Sequence, residues 1–208
     1  MICLDATYDT CVAEILENGV LKKMKCYLYT LVARNHDTGK GAPMCFMITN
    51  SLDSQPIASW LVWLASLGFK PRTIMIDNCD TEIAAIRLAF GDEVRINICH
   101  WHVLRAWRKQ SIAKIKLLHG PRAQRLSPEA IASHRKAGVE RLIAMMRACD
   151  EDEFGWAYDE LRIWIQEHSH QWDAAEFMLY FENKYLPKKK EWSNAFREVK
   201  KAQSHSFK

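Results

Sequence analysis

The 208-residue sequence lacks any apolar run long enough to cross a membrane. A membrane-spanning helix needs roughly 18 or more consecutive residues with few or no charges, and no such window occurs. The first residues also lack the basic stretch and short apolar segment of a secretory signal peptide. We therefore expect neither membrane insertion nor secretion.

The cysteines lack the regular spacing of a disulfide framework. There are seven, at positions 3, 11, 26, 45, 79, 99 and 149, and an odd, scattered set predicts reduced thiols in a cytosolic or nuclear protein. Internal repeats and low-complexity segments are absent as well. With 49% apolar and 26% charged residues, the composition is typical of a folded globular chain and argues against disorder.

Two predicted strands carry aspartates. Three apolar residues at 74–76 precede Asp77, after which a helical pattern begins. A continuous apolar run favours a strand covered on both faces, as in parallel sheets, where ligands gather at the carboxyl ends of strands. Residues 2–10 are rich in β-formers and predict a first strand with Asp5 in its middle. A right-handed crossover would make these strands parallel, so that Asp5 and Asp77 converge.

The remaining pattern predicts a mixed α/β unit followed by helices. Residues 26–34 and 42–49 are expected to form an antiparallel meander with the first strand, and a fifth short strand is expected at 94–98. Helices are predicted between these strands, and beyond residue 120 the pattern is wholly helical. We therefore predict an α/β core over residues 1–118, with three antiparallel strands and then parallel strands, and a helical region over 119–208.

The chemistry that suits two strand-borne aspartates is divalent-cation binding. Mg²⁺ or Mn²⁺ prefers carboxylate and phosphate oxygens, and a pair of such ions can assist both the attacking and the leaving oxygen in phosphoryl transfer. Such a site normally needs a third carboxylate. The alternative is that Asp5 and Asp77 are only strand-end or turn residues.

Cys99 and His102 stand three residues apart at a predicted helix start. Two metal ligands could share this spacing, but structural zinc needs four ligands and no second closely spaced pair follows at the usual distance. We therefore favour a packing or hydrogen-bonding pair, with His100 exposed.

A basic stretch follows this pair. Seven basic and no acidic residues lie between positions 101 and 125, and a helix is predicted from 101 to about 119. Four cations fall on or beside one stripe of that helix: Arg105, Arg108, Lys109 and Lys116. They are candidates for DNA phosphate contacts, and the alternative is that they form a solvated helix face. Trp101 and Trp107 are candidates for stacking on unpaired bases.

Taken in order, these motifs resemble the catalytic core of Mutator-like element transposases. The residues that carry the resemblance are Leu4-Asp5-Ala-Thr-Tyr8, Met75-Ile-Asp77 with Glu82-Ile-Ala-Ala-Ile86, and Cys99-His-Trp-His102-Val-Leu-Arg-Ala-Trp107. The resemblance implies an RNase H-like fold with a helical insertion and a DDE site with Asp5 and Asp77 as its first two acids. It also implies a C-x2-H signature at Cys99 and His102, Mg²⁺ or Mn²⁺ as cofactor, transposon ends and target DNA as partners, and nuclear localisation. Whether the chain forms a homo-oligomer is left open by the resemblance.

One departure from the family concerns the third acid. In the family the catalytic Glu follows the helical insertion in a segment rich in Thr and Asn, and no such segment precedes Lys208. Glu182, Glu191 and Glu198 lie upstream of the expected position. We therefore expect a fragment or decayed copy that is inert as it stands.

Two rival functions remain open. A domesticated or truncated relative would keep the fold and the basic surface as a DNA-binding module without catalysis. An RNase H-like nuclease unrelated to transposition fits the aspartates but leaves Cys99 and His102 unexplained.

Overall fold

The computed structural model describes residues 1–35, 37–118 and 126–197. The chain divides into two compact units, Met1–Cys99 and His100–Lys208, which we call the sheet unit and the helical unit. The first helix of the helical unit is the basic segment that the sequence assigned to the α/β core. Within the described ranges, no helix combines the length and hydrophobicity that crossing a membrane requires.

The sheet unit is a five-stranded mixed sheet with two helices. Its elements are β1 (Ile2–Glu17), β2 (Val20–Arg34), β3 (Gly41–Thr49), α1 (Ser54–Ser66), β4 (Thr73–Ile76), α2 (Asp80–Phe90) and β5 (Arg95–Ile98). The strand order is β3-β2-β1-β4-β5. The β1–β2 and β2–β3 pairs are antiparallel, whereas β1–β4 and β4–β5 are parallel. The α/β class and the predicted mixed sheet are thus confirmed.

The core of the sheet unit lies between one face of the sheet and both helices. Leu4, Ile74 and Ile76 from the central strands pack with Leu61 of α1 and Ile86 of α2. Burial alternates along β4, and Met75, on the opposite face, is only half-buried. The expectation of full burial on both faces of this strand is therefore wrong.

The first hairpin is longer than the sequence indicates. Strand β1 continues to Glu17 and β2 begins at Val20, whereas the sequence predicted strands only over residues 2–10 and 26–34. Asn18 and Gly19 both have positive φ, 52° and 77°, as a two-residue hairpin turn of type I′ requires. Cross-strand charge pairing supports the extension, since the Lys22 ammonium lies 2.6 Å from a Glu17 carboxylate oxygen.

The described part of the helical unit consists of helices and one pair of very short strands. Its described elements are α3 (His100–Lys114), β6 (Lys116–Leu117), α4 (Pro128–Arg147), α5 (Glu151–Glu167), β7 (Trp172–Asp173), α6 (Ala175–Lys184) and α7 (Lys189–Trp192), with 3-10 turns at Leu186–Lys188 and Asn194–Phe196. Aromatic rings dominate the core of this unit. The Trp107 ring lies edge-on to Tyr185 and Trp192, with centroids 5.3 and 5.4 Å away.

Candidate active site

The pairing of β1 with β4 sets the positions of the two predicted aspartates. The paired residues are Ile2 with Ile74 and Cys3 with Met75, an offset of 72 residues. Continuing this register by two residues places Asp5 (5 + 72 = 77) level with Asp77, on strands about 4.8 Å apart. The expectation that these strands are parallel neighbours is confirmed. We refer to Asp5 and Asp77 as the aspartate pair.

Electrostatics indicate which side chains surround the aspartate pair. The pKa of the Cys3 thiol is raised to about 11, first by burial and then by Asp5, Cys99, Asp77 and Glu82. Both aspartates are half-buried. The region around Asp5 of β1 and Asp77 after the end of β4 is therefore partly enclosed and negatively charged, and a cation would be stabilised there.

Glu82 is the acidic residue that sequence reasoning missed. It lies in the first turn of α2, it is 1% exposed, and its Oε2 atom has no hydrogen-bond partner among the described residues. Burial raises its pKa to about 8, with further contributions from Asp77 and then Asp5. The sequence does contain a signal for its burial: Glu82 shares a helix face with Ala85 and Ile86, three and four residues later, and both are buried.

Glu82 contributes to the raised pKa values of two tyrosines, Tyr8 and Tyr29. Tyr8 is 48% exposed, and burial, followed by Cys79, Glu82 and Asp77, raises its pKa to about 12. Tyr29 is 1% exposed, and its pKa is also raised, mainly by burial. Both hydroxyls therefore stay protonated at neutral pH and can donate hydrogen bonds. The sequence analysis had assigned neither residue a role.

In the parts of the chain that the structure describes, no group of three or more His, Cys, Asp or Glu side chains is arranged to hold a metal ion together. Direct ligation by the aspartate pair stays a prediction, and a cation held by two carboxylates would keep most of its water ligands.

The Glu residues considered for the third acid lie in or beyond the described helices. Glu182 accepts a 2.7 Å hydrogen bond from the Tyr158 hydroxyl in the helical unit. Glu191 lies in α7 of the same unit. Glu198 is outside the described residues.

The histidines after β5 differ in part from expectation. The Cys99 amide donates a 2.8 Å hydrogen bond to the Ile76 carbonyl, which ties the end of β5 to the end of β4. His102 lies in the first turn of α3, with its ring edge-on to Trp101. The predicted exposure of His100 is wrong: it is half-buried, and its Nε2 donates a 2.6 Å hydrogen bond to the Trp192 carbonyl. The packing or hydrogen-bonding role expected for the pair Cys99 and His102 stays a prediction.

Three of the four predicted DNA-binding cations share one exposed face of α3. Arg105, Arg108 and Lys109 are exposed, and we call them the basic face. The Arg105 guanidinium lies 5.4 Å from the ring centroid of Trp101, which is 59% exposed, a cation–π contact.

The structure corrects the predictions for Lys116 and Trp107. Helix α3 ends at Lys114 rather than near residue 119, because Lys116 and Leu117 pair with β7. The Lys116 ammonium lies 3.1 Å from the Glu176 carboxylate. Lys116 is therefore not part of the helical stripe. Trp107 is completely buried, so base stacking by this residue is excluded.

No protein-family model matches the sequence, and no curated protein matches it.

Proposed function

We propose that this chain is a DNA transposase catalytic domain that acts in the nucleus. Mg²⁺ or Mn²⁺ held by Asp5 and Asp77 would support cleavage of DNA strands and transfer of the 3′-hydroxyl to target DNA. The observation that supports the proposal is the parallel β1–β4 register, which, when continued by two residues, brings Asp5 of β1 level with Asp77 after the carboxyl end of β4. The ordered motifs that resemble Mutator-like element transposases supply the reaction class.

The sheet supports a more specific fold within the α/β class. We propose that it is RNase H-like, because three antiparallel strands are followed by two parallel ones in the order β3-β2-β1-β4-β5. In this arrangement both aspartates come from neighbouring central strands. A substrate phosphate could then approach the carboxyl end of β4 beside Asp5 of β1.

The donor chemistry suits a hard divalent cation. The aspartate pair offers carboxylate oxygens, the ligand type that Mg²⁺ and Mn²⁺ prefer. When bound, the cation would stabilise negative charge on the oxygens of a reacting phosphodiester. The Tyr8 hydroxyl, protonated at neutral pH, is suited to donate a hydrogen bond to a phosphate oxygen.

DNA binding is assigned to the basic face. Arg105, Arg108 and Lys109 are exposed on one side of α3, and their charges are suited to neutralise phosphates without reading sequence. Trp101 beside Arg105 adds an exposed aromatic ring on which an unpaired base could stack.

A second candidate is a DNA-binding module without turnover. The observation that favours it is that the described residues contain no group of three metal ligands, and two carboxylates alone position a catalytic cation poorly. This candidate matches the expectation that the chain is inert. Metal binding would then be weak, and the basic face would carry the function.

A strand-cleavage assay separates the two candidates. The chain is incubated with supercoiled plasmid DNA and Mn²⁺, alongside Asp5→Asn and Asp77→Asn variants and the control Asp92→Asn, whose side chain is 100% exposed. Nicking that both site variants abolish and the control retains supports the transposase proposal. DNA binding without nicking supports the second candidate, and the absence of both activities contradicts the two candidates together.

A further inference from the structure

Glu82 is a buried acid that the fold alone does not require. Its side chain is 1% exposed, and Oε2 has no hydrogen-bond partner among the described residues. A buried carboxylate oxygen without a partner is costly, and apolar residues normally occupy such helix positions. Its neighbours on the same helix face, Ala85 and Ile86, are apolar. The unsatisfied oxygen therefore points to a binding partner that the protein alone does not provide.

The surroundings of Glu82 identify the chemistry of that partner. Asp77 and Asp5 are the charged groups that raise its pKa beyond the effect of burial. Glu82 in turn contributes to the raised pKa values of Cys3 and Tyr8. Helix α2 also begins at Asp80, three residues after Asp77, so Glu82 in its first turn lies near the aspartate pair. A divalent cation, or water bound to one, is the partner that relieves such a concentration of carboxylates.

We propose that Glu82 is the third acidic residue of the cation site and that its Oε2 accepts a hydrogen bond from water bound to Mg²⁺ or Mn²⁺. This inference rests on the proposed cation site at the aspartate pair. An indirect contact agrees with the absence of a three-ligand group among the described residues. Mg²⁺ usually keeps several waters, and carboxylates that hold such waters orient the ion and increase its affinity. Glu82 is thus a positioning residue.

A third acid in the cation site also affects whether the chain can be catalytically active. The sequence indicated a site with only two acids and therefore an inert chain. An acid supplied by α2, five residues after Asp77, would complete the carboxylate set from within the sheet unit. No residue of the helical unit is then required for cation binding.

The test is a titration of the full chain with Mn²⁺, in which the electron paramagnetic resonance signal of free Mn²⁺ measures how much of the ion is bound. We expect Glu82→Gln and Glu82→Met to weaken Mn²⁺ affinity about tenfold, as loss of a carboxylate that holds a metal ligand does. Glu82→Asp, which keeps the carboxylate, should recover part of the loss. Glu93→Gln, an exposed Glu of the same unit, should bind as the unmodified chain does.

Three further measurements separate the possible failures. Far-UV circular dichroism without metal identifies variants that do not fold, and Glu82→Met, an apolar side chain of similar size, serves if Glu82→Gln is unstable. Wild-type Mn²⁺ affinity in a folded Glu82→Gln or Glu82→Met variant overturns the role of Glu82. If Asp5→Asn and Asp77→Asn nevertheless lose Mn²⁺ binding, the proposed cation site at the aspartate pair is still supported and only the role of Glu82 is wrong. Absence of Mn²⁺ binding in the unmodified chain overturns both proposals.

Discussion

The burial of Glu82 links the stability of the chain to pH. Its pKa is about 8 in the folded chain, against an ordinary value of 4.5. Because the folded state holds this proton more tightly, the stabilisation is complete below pH 4.5 and is lost as pH rises to about 8. The shift of 8 − 4.5 pH units corresponds to at most about 5 kcal/mol of unfolding free energy.

We predict that Glu82→Gln removes this pH dependence. Urea unfolding in the presence of a chelator, at several pH values from 5 to 8.5, measures it directly. The unmodified chain and the Glu93→Gln control should lose stability across this range by several kcal/mol more than Glu82→Gln does. Equal slopes for all three proteins would mean that Glu82 is not held protonated by its surroundings.

The burial of His134 in the helical unit predicts the opposite dependence of stability on pH. Its ring is stacked on Trp172 at 4.0 Å and on Trp164 at 4.5 Å between centroids. Burial, then His168 and Arg141, lower its pKa to about 4. The folded state therefore binds this proton less tightly than the unfolded state, and stability is lost as pH falls from 6.5 to about 4.

Replacement of His134 by Phe should keep the stacked ring and remove the titration. We expect the melting temperature of the unmodified chain to fall more steeply between pH 6.5 and 4 than that of His134→Phe, as measured by circular dichroism. Other acid-sensitive groups affect both proteins equally, so the difference between them isolates His134. A parallel fall in both would show that this ring is not the source.

At the scale of secondary structure elements, the β1–β2 turn depends on backbone conformation. Gly19 has a φ of +77°, and a Cβ placed there would meet nothing within 4 Å. The effect of Gly19→Ala on stability therefore comes from backbone strain alone. Gly155 in α5 is equally open but has no positive φ. We expect Gly19→Ala to lower the unfolding free energy by about 1 kcal/mol and Gly155→Ala to raise it by about 0.5–1 kcal/mol. Two changes of the same sign in chemical unfolding would contradict this.

The exposed cations of helix α3 lead to a prediction of how DNA affinity depends on salt concentration. The basic face contains three exposed cations, whereas Lys116 lies outside the helix and is paired with Glu176. Replacing Arg105, Arg108 and Lys109 with Gln should lower the slope of log affinity against log salt by about 2.7, from about 0.9 per phosphate contact on duplex DNA. Lys116→Gln should change this slope little, as measured by fluorescence anisotropy. A larger effect of Lys116→Gln would assign DNA binding to a different surface.

For the whole molecule, local patterns were enough to predict the central sheet. The apolar residues before Asp77, the crossover helix and the β-rich start around Asp5 each follow from short-range preferences, and together they give the parallel β1–β4 pair. The first turn lies at Asn18 and Gly19. Its flanking strands were underestimated because Lys22, Lys23 and Glu17 reduce the apparent β-character of a stretch that cross-strand pairing stabilises.

The remaining differences arise from long-range contacts. Strand β6 exists because it pairs with β7, more than fifty residues later, and no pattern near Lys116 indicates this. The bond from His100 to the Trp192 carbonyl spans 92 residues. Glu82 was missed because an acid in the first turn of a helix usually interacts with the helix dipole at the surface, whereas here tertiary packing buries it.

The most direct test of the account is whether Asp5 and Asp77 bind one cation together. Mn²⁺ affinity is measured for the unmodified chain, Asp5→Asn, Asp77→Asn, the double variant and the exposed control Asp92→Asn. If one ion needs both carboxylates, each single variant loses most of the affinity, the double variant loses little more, and the control is unchanged. Unchanged affinity in either single variant, or independent and additive losses, would contradict a shared cation site at the edge of this sheet.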